Sequence, residues 1–194
     1  HLVGALLALA GAVVLIVLGA MKQDVWKIVS FAIYGASLVM LYSASTLYHS
    51  TRGRLKAFFR KLDHTAIYLL IAGSYTPFTL VTLRGPWGWW LFGVIWVLAL
   101  LGILQEFWLG KRTRVLSLII YVLMGWIALV AVMPLVDTLS LAGFAWLAAG
   151  GLAYTAGIVF YVYHERFTHW HGIWHLFVVA GSALHYIAIL LYVA

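Results

Sequence analysis

The chain has 194 residues, of which 65% are hydrophobic and only 9% charged, with a mean hydropathy of +1.05. A water-soluble domain carries about 25% charged and about 45–50% apolar residues, so this chain has too little polar side chain to cover a globule in water. The formal charge of +7 is spread over loops, which argues against a nucleic-acid surface and for a record of membrane orientation. The absence of cysteine excludes disulfides and thiolate metal sites.

Seven apolar stretches follow one another, each near the roughly 20 residues that a spanning helix needs. They fall at about 2–20, 26–50, 62–82, 87–106, 114–134, 141–163 and 171–193. The first has neither a basic flank nor a small-residue cleavage site, so it reads as a span and not a signal peptide. The chain opens at His1 inside an apolar run and without Met, which fits a trimmed piece of a longer chain. Short breaks separate the stretches and predict antiparallel neighbours in a single seven-helix transmembrane domain over 1–194, an all-α bundle.

The breaks carry the charge. The second, fourth and sixth hold Arg52, Arg54, Lys56, Arg60 and Lys61, then Lys111, Arg112 and Arg114, then Arg166; the first, third and fifth hold only Lys22, Lys27 and Arg84. The positive-inside rule therefore places the N-terminus in the cytoplasm and the C-terminus outside. Trp87, Trp89 and Trp90 after the third break fit an outer aromatic belt. Small residues such as Ala149-Gly150-Gly151 suit close helix contact, and Pro77 and Pro134 suit kinks or helix ends.

Ionisable residues inside membrane segments are costly and are functional candidates by default. The last segment opens with His171-Gly-Ile-Trp-His175, two imidazoles one helical turn apart on one face, a spacing at which they can share an ion. His49 closes the second segment, with Ser45 one turn before it, and Asp63 opens the third. The orientation places the end of segment two and the starts of segments three and seven on the cytoplasmic side. His49, Asp63, His171 and His175 then share one depth near the inner leaflet and read as one site.

Without cysteine, the ion is zinc, iron, manganese or a relative. Three imidazoles and a water match an open catalytic zinc site, with Asp63 and Ser45 as second-layer partners. Each residue also has a plainer use. Asp63 is a candidate helix cap, Ser45 a candidate for a bond back to its own helix, and His49 an interfacial residue beside Tyr48. His64 and His185 read as hydrogen-bonded structural histidines, and Glu106, His164, Glu165 and His169 as solvated interface residues.

Three motifs carry a resemblance. Ser-Thr-Leu-Tyr-His49, Leu62-Asp63 leading into LLIAGSYTPF, and Gly-Ile-Trp-His175 leading into LFVVAGSALHY resemble the hemolysin III family of bacteria. That family is related to the adiponectin receptors (the progestin and adipoQ receptor family) within the alkaline ceramidase superfamily. The resemblance covers nearly the whole chain, although the family's acidic residue ahead of the first helix is absent. It implies a multi-pass protein of the bacterial inner (plasma) membrane, with Zn2+ held by His49, His171 and His175 and with Asp63 and Ser45 beside the metal. It also implies membrane lipids as partners and a role in lipid homeostasis. The activity expected is ceramidase-like hydrolysis of a lipid amide or ester near the inner leaflet. The alternative is a non-enzymatic sensor or pore-forming haemolytic protein with a structural zinc; a transporter using Asp63 and Glu106 ranks behind both.

Overall fold

The computed structural model describes residues 1–108, 114–163 and 166–194. Lys111 and Arg112 of the expected fourth break, and His164 and Glu165 of the sixth, lie outside the described residues. Helices make up the fold, with no strand among the described residues. The chain forms two compact units, 1–131 with Ala194, and 132–193.

The first unit holds α1 (Leu2–Met21), α2 (Val25–Ser50), α3 (Gly53–Pro77), α4 (Pro86–Trp108) and α5 (Arg114–Trp126). A π-helical turn, Phe78–Thr82, continues α3, and a 3-10 turn, Ile127–Ala131, follows α5. The α1–α2 corner is tight. Gln23 takes a φ of 53°, and the Asp24 carboxylate caps α2 by accepting from the Trp26 and Lys27 amides at 2.9 and 3.3 Å. Pro77 near the end of α3 lacks the amide that a regular turn needs, and the backbone widens into the π turn immediately after it. Gly85, at a φ of 139° that side chains rarely adopt, turns the chain into Pro86 at the first position of α4.

Consecutive helices pack against each other from α1 to α4, and α3 also meets α5, so α3 is the hub of this unit. Its core gathers Tyr68, Ala72, Ile95, Ala99 and Met124 from three helices. Gly102 of α4 admits the Tyr68 ring, since a Cβ there would collide with it. The outer faces are apolar: Leu6, Leu7, Val13 and Val17 of α1, and Val97, Leu100, Leu101 and Leu104 of α4, are exposed. A surface of this kind suits hydrocarbon as its solvent.

The second unit pairs α6 (Val132–Val162) with α7 (Trp170–Tyr192). Gly150 and Gly181 make the close approach. A side chain at Gly150 would strike the His185 ring, and one at Gly181 would meet the Tyr154 ring at 2.8 Å. His185 is buried and sits 3.1 Å by its Nε2 from the Leu147 carbonyl, the structural use expected of it. The helical geometry of α6 fails at Ser140 alone, at φ 65° and ψ 162°. There the Ser140 hydroxyl oxygen accepts from the Gly143 amide at 3.4 Å and so caps the helix that follows.

Among the described residues, six helical stretches are long and apolar enough to cross a membrane. Expected segments five and six both fall in the stretch Val115–Val162, whose 48 residues exceed twice what one crossing needs. The break expected at 135–140 is reduced to the single residue Ser140. Pro134 does not end a helix because it lies in the first turn of α6, where its missing amide costs little. The expected basic break before segment three is helical as well, since α3 begins at Gly53, nine residues ahead of the predicted start. Arg54 to Lys61 are good helix formers interleaved with Leu55, Ala57, Phe58 and Phe59, and charge alone does not make a loop.

Candidate metal centre

In the first unit, the last two turns of α2 carry Ser45 and His49. Ser45 is buried, with its hydroxyl close to the carboxylate of Asp63 on α3, itself only 5% exposed. Asp63 stands ten residues inside α3 and caps nothing, which removes one of the plainer readings. His49 is exposed and lies against Tyr48, with ring centroids 4.7 Å apart. A buried carboxylate in an apolar helix is expensive and persists only with partners, which Ser45 helps to supply.

In the second unit, His171 and His175 occupy the first two turns of α7. Their Nε2 atoms are 3.0 Å apart and the rings stand nearly perpendicular, at 88°. Trp174 flanks both, at 5.4 Å from His171 and 4.6 Å from His175, and limits how the rings can turn. Two imidazole nitrogens bound to one tetrahedral zinc at about 2.0–2.1 Å stand about 3.3 Å apart, so the observed spacing needs only a small adjustment to hold an ion. The donor chemistry fits as well: neutral imidazoles without thiolates suit zinc and its neighbours. The structure thus brings together Ser45 with Asp63, and His171 with His175.

One residue departs from expectation. Glu106 is not a solvated interface residue: its side chain is 12% exposed and its Oε1 lies 2.9 Å from Nδ1 of His64. His64 is hydrogen-bonded as expected, but to a carboxylate, and around this pair sits a polar group that was not foreseen. Ser117 of α5 lies 3.4 Å from both Glu106 Oε2 and Gln105 Oε1, and Tyr68 donates to Gln105 Oε1 at 3.2 Å. Tyr121 donates to the His64 carbonyl at 2.9 Å. The spacings His64-x3-Tyr68 and Ser117-x3-Tyr121 each mark one polar helix face, the one signal the sequence offered. His169 is exposed, as an interface residue would be.

The chain is similar along its whole length to proteins already known. The family described as Haemolysin-III related matches residues 1–186. Hemolysin-3 of Bacillus cereus is 43% identical over 194 residues, all of this chain and 88% of that protein. The Hemolysin-3 homolog of Bacillus subtilis (strain 168) is 44% identical over 193 residues, 99% of this chain and 90% of that one. More distantly, the Monocyte to macrophage differentiation factor of Homo sapiens is 31% identical over 175 residues, 87% of this chain and 72% of that protein. With its helical stretches of membrane-spanning length and these relatives, the chain is a multi-pass integral membrane protein that belongs to the haemolysin III family, with adiponectin-receptor-like proteins as distant relatives.

Proposed function

We propose that this protein is a zinc-dependent hydrolase of a lipid amide or ester, ceramidase-like, with His49, His171 and His175 as ligands. In this reading the chain makes seven crossings as one domain of a bacterial inner membrane, with the N-terminus cytoplasmic, the C-terminus outside and Val115–Val162 divided at Ser140. The loop charges then put the end of α2 and the starts of α3 and α7 on the cytoplasmic side, by the inner leaflet. The observation that carries the proposal is the convergence of the His171 and His175 Nε2 atoms to 3.0 Å.

Zinc held there would polarise the acyl carbonyl and make a water easier to deprotonate. Asp63 takes the proton of the attacking water and returns it to the leaving amine or alcohol as the bond to the acyl carbon breaks. Ser45 is held against Asp63 and turns its hydroxyl to the oxygen of the carbonyl as charge builds there. A site at this depth between apolar helices receives an acyl chain sideways from the bilayer, consistent with a role in lipid homeostasis. The test is release of free fatty acid from ceramide and related lipids by the purified protein. Activity lost on chelation and in His171→Ala supports the reading, and equal rates in wild type, variant and stripped protein refute it.

A second reading is a non-enzymatic pore-forming or sensing protein in which zinc is structural, and the name Hemolysin-3 of two relatives favours a membrane-lytic role. Structural zinc generally has four protein ligands, and three imidazoles fall one short, which favours the hydrolase. Ion flux through liposomes that survives loss of all three histidines would favour the pore.

A further inference from the structure

The His64–Glu106 pair lies outside the proposed ligand set and has no part in the reaction as drawn above. It joins α3 to α4 across 42 positions of sequence, with both side chains largely buried, at 22% and 12% exposure. Two ionisable groups inside apolar helices are costly, and a helix contact of this size is made more cheaply by small residues or leucines. Its geometry is that of a carboxylate orienting an imidazole. A carboxylate has no proton to give, so the hydrogen bond at 2.9 Å requires His64 Nδ1 to carry the hydrogen and Glu106 Oε1 to accept it. The other carboxylate oxygen is in reach of the Ser117 hydroxyl, and Tyr121 holds the His64 backbone carbonyl, so both partners are fixed in place. With Nδ1 committed, Nε2 is left as the basic atom of the ring. The His64 side chain is 22% exposed, so the ring is partly open to its surroundings. The same arrangement prepares histidines as proton acceptors in enzymes.

We propose that Glu106 and His64 form a proton-relay dyad in which His64 Nε2 is the exchanging atom and Glu106 positions the ring. The charged and titratable groups that bear on it are Arg60, Asp63 and Tyr68 of its own helix and Tyr121 of α5. Asp63 is the adjacent residue of α3, so the dyad stands beside the carboxylate assigned to the hydrolysis. Its task there rests on the hydrolase reading. The O–H bond of the acid product breaks, the proton adds to Nε2 while Nδ1–H stays on Glu106, and the imidazolium passes the proton to water. Glu106 acts through His64 and is a positioning residue.

The experiment uses the full chain, labelled with 15N-histidine and placed in lipid nanodiscs, with the His64 signals assigned by their loss in His64→Gln. The Nδ1–H form of neutral His64 is expected to exceed the other tautomer by about tenfold. Glu106→Ala brings the two tautomers to within about threefold of each other. A His64 that carries its hydrogen on Nε2 overturns the dyad. In the activity arm, His64→Ala lowers turnover at low buffer by about 10²-fold and added imidazole restores much of it. An active wild type with a His64→Ala loss that imidazole does not restore overturns the relay. A wild type that releases no fatty acid sinks the hydrolase reading, and the tautomer measurement still decides the dyad.

Discussion

The Ser45 hydroxyl of α2 lies close to the Asp63 carboxylate of α3, and both residues are buried. A carboxylate kept in such surroundings with a hydroxyl partner is set up to receive a proton and pass it on. Asp63→Asn preserves shape and hydrogen bonding but cannot take the proton of water. It is expected to lower fatty-acid release by about 10²–10⁴-fold while zinc content stays at the wild-type level. Ser45→Ala costs less, about 10²-fold in turnover, because it removes one donor. Rates measured beside metal content separate these effects from simple loss of the ion.

The contact between α6 and α7 depends on Gly150. Gly150→Ala places a methyl group against the His185 ring and is expected to cost about 1–3 kcal/mol of stability. Its neighbour is the control. Nothing lies within 4 Å of a Cβ built at Gly151, so Gly151→Ala is neutral or gains up to about 1 kcal/mol from helix propensity. Thermal unfolding of both variants in one detergent checks the pair. An equal loss in both would show that the crowding at His185 is not what sets the cost.

Ser140 adopts a backbone conformation that belongs almost wholly to glycine. Ser140→Gly relieves that strain and gives up one weak cap, and is expected to raise stability by about 1 kcal/mol, whereas Ser140→Val lowers it by more. The same residue tests the number of crossings. These 194 residues contain no cysteine, so Ser140→Cys gives them a single thiol for a membrane-impermeant maleimide. Seven crossings predict labelling from the outer face, and Arg54→Cys predicts labelling from the cytoplasmic face only. A Ser140→Cys thiol labelled only from the cytoplasmic side would contradict the proposed topology.

Most helices were legible in the sequence because a span imposes its own length: α1, α2, α4 and α7 begin and end within two residues of the apolar stretches that predicted them. The failures lie where hydropathy is the wrong signal. The stretch Arg54–Lys61 is charged and helical at once, and an apolarity threshold reads such a segment as a loop. At 135–140, a break was expected from Asp137 and Pro134, but a proline in a first turn breaks nothing and the real interruption is one backbone conformation at Ser140. The pair His171 and His175 was legible because both residues lie on one helix, where spacing fixes the geometry. His64 and Glu106 sit 42 residues apart on different helices, and no periodicity within either one announces the bond between them.

The central claim is that His171 and His175 hold a metal ion together with His49, and elemental analysis tests it most directly. Wild-type protein purified without added metal is predicted to carry about one zinc per chain, and the His171→Ala/His175→Ala double variant close to none. Each single variant, His49→Ala included, should lose most of the zinc, because two imidazoles hold the ion far less tightly than three. Equal zinc in wild type and double variant, measured on folded protein, would contradict the account.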